Sequence, residues 1–383
     1  MNLSLPARAW ADLRARWRLA LGFHMLMQLL GFAIFAPLLT WVGRRLVLAS
    51  GEPVVSNFDL AAFALSPGGV VFVPAIAALT IALLLAELVG HSLIAGRAIA
   101  GRPLALAATI AFVLRSLPAQ VRLATRVFLR LVLLALPFLA CAGLIWLTTL
   151  RGHDINYYLA KHPPEWRRAM RLGALLGAGL AALFAWQLAR WLYAVPLFVF
   201  GGVSPARALG ESARLTRGRF ATIVPPVLLW AAGLTVASLA LARVASHVSD
   251  AALEWAGLDF ARVLPLVATF MLVSLVAGFA FVGLHLVGHE FLITRLYAEH
   301  LDVTQWRLAG SLDTHETRAR RLAHPVVLGL LASLPVALAA TWIFASQLAP
   351  EPAVAITAHR GAAMVAPENS MAAFRATQEA GAN

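Results

Sequence analysis

The sequence predicts an all-α polytopic membrane domain of about seven transmembrane helices, followed by a single strand–loop–helix unit at its C-terminal end. Apolar residues make up 61% of the chain and charged residues 13%, whereas globular proteins average about 45–50% and about 25%. Several apolar runs exceed the ~20 residues with which a helix crosses a bilayer. The pattern changes only near the end, where a short apolar run, 353–356, precedes a polar turn and a segment of helical period.

The charge of the chain is strongly basic, with a formal net value of +13 at pH 7. On a soluble protein such a charge would indicate nucleic acid. Here the arginines fall between apolar runs, which favours anionic lipid headgroups as partners and predicts no nucleic-acid partner. Cys141 is the only cysteine and lies within an apolar run, so an intrachain disulfide is excluded.

Seven apolar runs are predicted to span the membrane, and polar or basic connectors separate them. The predicted spans are residues 19–42, 70–96, 127–150, 172–200, 220–245, 263–294 and 325–346. The basic segment 1–18, with Trp10 and Trp17, is predicted to form an amphipathic helix on the membrane surface. The apolar run 103–114 is short for a span, so it is predicted to be interfacial or re-entrant.

The distribution of basic residues predicts the orientation. Arginines are in excess in the N-terminal segment and in the connectors after the second, fourth and sixth spans. The positive-inside rule then places the N-terminus in the cytoplasm. With seven spans, residues 347–383 are predicted to lie outside the cytoplasm. The arginine-rich, alanine-rich composition predicts that the membrane is a bacterial plasma membrane.

An internal repeat is indicated by matches at a shift of 198 residues. Leu-Val-Gly-His occurs at 88–91 and again at 286–289, and at the same shift Arg97 falls on Arg295. The matches predict that spans one to three duplicate spans five to seven, with parallel repeats. Chance similarity between alanine- and leucine-rich helices is the alternative.

The repeat aligns ionisable residues within the membrane. Glu87 falls on His285 and His91 falls on His289, each pair at i and i+4 of a predicted helix. One carboxylate and three imidazoles would converge if the halves pack around a common axis, with Glu290 beside them. Such a set suits zinc or another divalent transition ion. The alternative is a hydrogen-bonded polar network that needs no metal.

The C-terminal unit carries the residues with catalytic chemistry. After the short strand come His359, Arg360 and Gly361, and an amphipathic helix is predicted over 368–380 with Met371 and Phe374 in step. Strand, loop and helix are predicted to form the first βα unit of a truncated TIM-type (β/α) barrel, a fold in which catalytic groups lie where strands end and loops begin. Histidine transfers protons near neutral pH, and arginine offers a planar fork of donors to phosphate oxygens.

These residues resemble the opening signature of the glycerophosphodiester phosphodiesterase family. The matching positions are His-Arg-Gly at 359–361, Pro-Glu-Asn-Ser at 367–370, Ala-Phe at 373–374 and Gly-Ala at 381–382, with Ser370 standing where the family usually has threonine. The resemblance covers about the last thirty residues. It implies that His359 is one of two acid/base histidines, that Arg360 binds a phosphate oxygen, and that Glu368 and Asn369 support the site.

The resemblance also predicts what lies beyond these residues. In the family the next strand carries a Glu-x-Asp pair that binds a divalent metal, calcium or magnesium, so we expect the chain to be C-terminally truncated and inactive by itself. It would comprise a membrane domain, 1–346, and the start of the catalytic domain, 347–383. The implied activity is metal-dependent hydrolysis of glycerol phosphodiesters or related lipid-derived diesters. The alternative is a transporter or sensor domain fused to a hydrolase-like domain, because seven spans exceed what an anchor requires.

Overall fold

The described part of the chain consists of long helices joined by short turns. The computed structural model describes residues 4–50, 63–64, 66–153, 155–257, 260–300 and 370–379, together with single positions between 328 and 343. Within these ranges every regular element is helical and no residue lies in a strand. The all-α prediction is confirmed there, whereas the predicted strand 353–356 lies outside the described residues.

Ten α-helices carry the described residues. They are α1 (Ser4–Ser50), α2 (Pro67–Ile99), α3 (Leu106–Ile145), α4 (Ile155–Lys161), α5 (Pro164–Arg190), α6 (Ala194–Val199), α7 (Pro205–Thr216), α8 (Phe220–Ala256), α9 (Phe260–His300) and α10 (Met371–Glu379). A π-helical turn, Trp146–Leu150, extends α3. Proline at the first position of α5 and α7 is favoured, because that residue needs no backbone donor.

Six helices in the described part are long and apolar enough to cross a membrane: α1, α2, α3 with its π-helical turn, α5 running into α6, α8 and α9. They contain the first six predicted spans. Large apolar side chains on them are exposed, as expected for helices surrounded by lipid; examples are Leu133 (64%), Leu175 (73%) and Val236 (66%). The predicted seventh span, 325–346, falls almost entirely outside the described residues, so a total of about seven stays a prediction.

The chain forms two compact units. One contains residues 1–31 and 70–332, and the other contains residues 32–69 and 333–383. In the second unit the Arg45 guanidinium lies 5.5 Å from the centroid of the Trp41 ring. The helix contacts described in the rest of this subsection belong to the first unit.

The apolar run 103–114 is not a separate interfacial or re-entrant element. It enters α3, which begins at Leu106 and continues to Ile145 with Pro118 inside it. Proline removes one backbone donor and disturbs the preceding turn. The Gln120 side-chain amide donates to the carbonyl oxygen of Val113 at 2.9 Å, beside that turn. The carbonyl that loses its donor at Pro118 is that of Leu114, so this bond supports the adjacent turn without replacing the lost one.

The N-terminal segment packs one face against protein, while Trp10 and Trp17 on it are exposed; its predicted place on the membrane surface stays a prediction. Arg16 has non-helical dihedrals (φ −128°, ψ 17°) and separates residues 4–15 from the rest of α1. On this segment one side chain in every turn is buried: Leu5, Ala9 and Leu13. An amphipathic pattern predicts one covered face, but it does not distinguish a membrane surface from a protein surface.

Ion pairs hold the same segment to the end of α9. The guanidinium of Arg295 donates from Nε and Nη2 to the two carboxylate oxygens of Asp12, both at 2.8 Å. Arg8 pairs with Glu299 at 2.6 Å. A two-pronged arginine–carboxylate pair fixes direction as well as distance, so it sets the position of the N-terminal segment along α9.

The short helix α7 closes the turn after α5. Its buried residues lie on one face: Ala208, Leu209, Ser212 and Thr216. The hydroxyl of Ser212 donates to the carbonyl of Arg190 at 2.8 Å and accepts from the amide of Tyr193 at 3.0 Å. These bonds satisfy backbone groups that the end of α5 leaves without helical partners.

Two glycines mark equivalent close contacts in the two halves of the sequence. A side chain at Gly90 of α2 would overlap the Phe23 ring of α1, and one at Gly288 of α9 would overlap the Trp230 indole of α8. Small residues let helices approach closely in a membrane protein. Since the glycines are related by the 198-residue shift, the contacts support the predicted repeat. The full duplication stays a prediction, because its last span lies outside the described residues.

We predict that Gly288→Ala destabilises the protein and that Gly278→Ala in the same helix does not. The added methyl group meets the Trp230 indole at position 288 and nothing within 4 Å at position 278. Overpacking costs about 1–3 kcal/mol, whereas relief of the glycine helix penalty contributes at most about 1 kcal/mol. Thermal unfolding in detergent, followed by size-exclusion chromatography, measures both. Equal midpoints for the two variants would contradict the close contact.

We predict that Asp12→Asn lowers the free energy of unfolding by about 1.5–3 kcal/mol, the range for hydrogen bonds to charged groups. The Arg295 and Asp12 side chains are only 22% and 12% exposed, so water replaces the lost partner poorly. The matched control is Glu211→Gln, which breaks the exposed pair with Arg214 and should cost at most ~1 kcal/mol. Combining Asp12→Asn with Arg295→Gln should cost less than the sum of the single changes; additive costs would refute the pairing.

Candidate functional site

The predicted catalytic residues lie outside the described part of the chain. His359, Arg360, Glu368 and Asn369 all fall in the interval before residue 370. Their roles and any metal bound near them therefore stay predictions.

The helix that follows them is described and begins later than expected. It was predicted over 368–380, but α10 runs from Met371 to Glu379 because Ser370 caps it. The Ser370 hydroxyl accepts a hydrogen bond from the amide of Ala373 at 3.2 Å, the usual contact of an N-cap serine. Ser370 stands where the family usually has threonine, and it keeps the hydroxyl that caps the helix.

Three ionisable side chains from α1 and α2 meet in the interior of the first unit. His24 Nδ1 lies 2.5 Å from Glu87 Oε1, and His91 Nε2 lies 3.6 Å from the same oxygen. The ligating atoms of His24, Glu87 and His91 are all within 4.8 Å of one another. Among the residues that the structure describes, this is the group of histidine and carboxylate side chains positioned to hold a metal ion together.

Helix geometry explains how the three side chains meet. Glu87 and His91 are one turn apart and so share a face of α2. The close approach of α1 and α2 at Gly90, where the Phe23 ring occupies the space of a side chain, brings the next residue of α1, His24, to that face. The His24 ring also needs the space left by Gly283 of α9, because a Cβ atom at position 283 would lie 2.7 Å from His24 Nε2.

The cluster is enclosed by protein. His91 is 0% exposed, His24 1% and Glu87 5%. The Phe23 ring meets the His91 ring edge-on with centroids 5.2 Å apart, and Phe279 lies 5.6 Å from His24. Both nitrogens of His91 and Nε2 of His24 are buried without a hydrogen-bond partner. Buried polar atoms normally have one, so three unsatisfied nitrogens in one cluster call for an explanation.

The structure corrects the membrane cluster expected from the repeat. Glu87 and His91 are in it, but His24 takes the place expected for His285 and His289. The rings of those two histidines lie 6.2 Å apart on α9, and neither belongs to the group within 4.8 Å. The α2 and α9 helices are neighbours as predicted, since the hydroxyls of Ser92 and Thr294 lie 3.2 Å apart. Adjacent helices therefore do not ensure that equivalent side chains face one another.

His24 was missed because it has no counterpart in the repeat, yet its depth could have identified it. It follows Arg18 by six residues, and His91 precedes Arg97 by six residues. Since α1 and α2 run in opposite directions from the same basic side, equal distances along the helices correspond to equal depths. Matching depth between antiparallel spans would have added His24 to Glu87 and His91.

A second polar location lies at an apolar cavity of about 500 Å³. Leu85, Leu123, Leu131 and Trp191 contribute to its wall, and His289 and Glu290 of α9 are its ionisable lining residues. Glu290 is buried and Oε1 of its carboxyl has no hydrogen-bond partner. The cavity is therefore mostly apolar, with two ionisable side chains in its lining.

The family described as the membrane domain of glycerophosphoryl diester phosphodiesterase matches residues 8–333. No curated protein and no solved structure matches. The matched range contains all six described membrane-capable helices apart from the first residues of α1, and it contains the buried cluster. By this match over most of its length, the chain belongs to the family of membrane domains of glycerophosphoryl diester phosphodiesterases.

Proposed function

We propose that this chain is part of a membrane-anchored glycerophosphodiester phosphodiesterase that hydrolyses glycerol phosphodiesters, or related lipid-derived diesters, to an alcohol and glycerol phosphate. The observation that carries the proposal is the combination of two features on one chain. Residues 8–333 match the membrane domain of this family, and the catalytic signature His-Arg-Gly…Pro-Glu-Asn-Ser follows at 359–370. The family match alone would support only the membrane domain, and the signature alone would support only the catalytic domain.

The proposed chemistry assigns one task to each signature residue. His359 gives or takes a proton as one of two acid/base histidines. Arg360 binds a phosphate oxygen of the diester, and Glu368 and Asn369 support the site. A calcium or magnesium ion, held by carboxylates of the family's next strand, would stabilise the charge on the phosphoryl oxygens.

The described helix α10 fits a position at the start of a barrel. Met371 and Phe374 are 68% and 52% exposed, while Ala373 is buried. In a (β/α) barrel each helix covers its strand and its neighbours with an apolar face. The open Met371 and Phe374 side chains supply such a face for further strands and helices of a catalytic domain.

The proposed location is the plasma membrane, with the N-terminus in the cytoplasm and the catalytic residues outside. The support is the excess of arginine in alternate connectors. With the six membrane-capable helices of the described part and the predicted seventh span at 325–346, residue 352 would lie on the opposite side from residue 2. A lipid-derived substrate outside the cytoplasm agrees with attachment to the membrane.

A second candidate function is that of a transporter or sensor domain fused to a hydrolase-like domain. The observations that favour it are the enclosed cluster of His24, Glu87 and His91 and the cavity at His289 and Glu290. Ionisable groups are costly within a membrane and are therefore usually functional. A Glu-x-Asp pair encoded shortly after Asn383 would favour the phosphodiesterase. A degenerate pair at that place would favour the transporter or sensor.

We predict the following labelling pattern for the proposed orientation. In a Cys141→Ser background, which removes the only cysteine, single cysteines are placed at Asn2, Glu211, Lys161 and Pro352. A membrane-impermeant maleimide added to intact cells should label positions 161 and 352 at once, and positions 2 and 211 only after permeabilisation. Labelling of position 352 only after permeabilisation would show that the number of spans is wrong.

We predict that His359→Ala lowers phosphodiesterase activity about 10²–10⁴-fold, the contribution of a positioned acid/base group. The protein is expressed from its complete reading frame, and release of glycerol phosphate from glycerophosphodiesters is measured with and without chelator. Chelation should abolish turnover, and calcium or magnesium should restore it.

The matched control for this measurement is His153→Ala. His153 is exposed in the loop after the π-helical turn, where its ring lies 4.0 Å from that of Tyr157. In the proposed orientation it is on the same side as His359, so its loss should leave turnover unchanged. An active His359→Ala enzyme, or turnover that resists chelation, would overturn the proposed function.

A further inference from the structure

We propose that His24, Glu87 and His91 bind one divalent transition-metal ion within the membrane domain, with zinc as the ion that best suits the donors. The ion would join α1 to α2 next to α9. The proposal goes beyond the phosphodiesterase function and does not rest on it, because it concerns a different set of residues.

The spacing of the donor atoms is close to that of a metal site. Nitrogen and oxygen ligands about 2.0–2.2 Å from zinc lie roughly 3.3–3.5 Å apart in a tetrahedral arrangement. His91 Nε2 and Glu87 Oε1 are already 3.6 Å apart. His24 Nδ1 is 2.5 Å from the same oxygen, so entry of the ion requires these two atoms to separate by roughly 1 Å. Since all three proposed ligands are side chains, this separation calls for side-chain rotation and not for movement of a ligating backbone atom.

The burial of His91 points to a missing ligand. Its ring is 0% exposed, and neither nitrogen has a hydrogen-bond partner. A polar network explains the contact between His24 and Glu87 but leaves Nε2 of His91 unsatisfied beside the carboxylate. A metal ion between the three side chains satisfies Nε2 and also offsets the charge of an enclosed carboxylate. The metal therefore gives a partner to Nε2 of His91, which the hydrogen bond between His24 and Glu87 leaves without one.

The ligand atoms of this site differ from those expected at the proposed catalytic metal site. Calcium and magnesium take oxygen ligands, whereas two imidazoles and one carboxylate suit zinc and other transition ions. Three protein ligands leave a fourth position of the tetrahedron for water or another donor. The second half of the chain keeps imidazoles at His285 and His289 but has no carboxylate at either place, so the site belongs to the first half.

The test measures metal binding by the purified chain. The protein is prepared in detergent without an oligohistidine tag, stripped with chelator, exchanged into buffered zinc and analysed for zinc per chain. We expect about one tightly bound zinc. Glu87→Gln and His91→Gln each remove a ligand while keeping a polar side chain of similar length, so zinc affinity should fall by more than the ~10–100-fold that follows loss of a group that only orients a ligand.

His285→Gln is the matched control. His285 occupies the position equivalent to Glu87 in the repeat, lies in a candidate span, and is exposed. Its replacement should leave one zinc per chain and an unchanged affinity. Excess calcium or magnesium should not displace the zinc, which distinguishes this site from a catalytic metal bound by carboxylates.

Cobalt provides a readout that does not depend on the stability of a variant. Wild-type protein loaded with Co²⁺ should show visible d–d absorption bands typical of tetrahedral nitrogen and oxygen ligands. Wild-type protein that retains no zinc after exchange, or shows only the spectrum of aqueous cobalt, overturns the proposal and leaves a hydrogen-bonded network. Zinc binding that is equal in wild type and His91→Gln overturns it as well, since the ion would then be bound elsewhere.

Discussion

The arrangement of the first unit depends on the close approach of helices at three glycines. Gly90 admits the Phe23 ring, Gly288 admits the Trp230 indole, and Gly283 admits His24. Between lipid-embedded helices there is little hydrophobic driving force, because lipid chains are as apolar as leucine, so tight packing carries much of the association. Here the same approach also decides which polar side chains meet.

Polar contacts then fix the packed helices at two levels. Near the ends of α1 and α9, Asp12 and Arg295 form a two-pronged ion pair. Deeper along α1 and α2, His24, Glu87 and His91 share an enclosed space. Unpaired charge is costly in both places, and more so at the enclosed cluster. The arginine pair is complete within the protein, whereas the cluster leaves buried nitrogens unsatisfied, which is why it is the stronger candidate for a ligand.

Membership of the family gives the membrane domain a context, and the buried cluster gives it a feature that an anchor does not need. The match covers residues 8–333, and the residues that resemble the phosphodiesterase signature, 359–382, follow it. A metal that joins two spans would stabilise the domain without taking part in hydrolysis. A transporter or sensor domain would instead use such groups to bind or move an ion. The two interpretations differ in whether the metal stays bound while the protein works.

The sequence by itself determined the helical membrane architecture and the location of six membrane-capable helices, because apolar length is a local property of the chain. Several of these helices extend well beyond the predicted spans. It also placed Glu87 and His91 on one face, since i and i+4 always share a face of a helix. Only the tertiary structure placed residues 4–15 on protein, joined 103–114 to α3, and put His24 in the cluster in place of His285 and His289. Each depends on which helix faces which, and periodicity shows that a face is covered without showing what covers it.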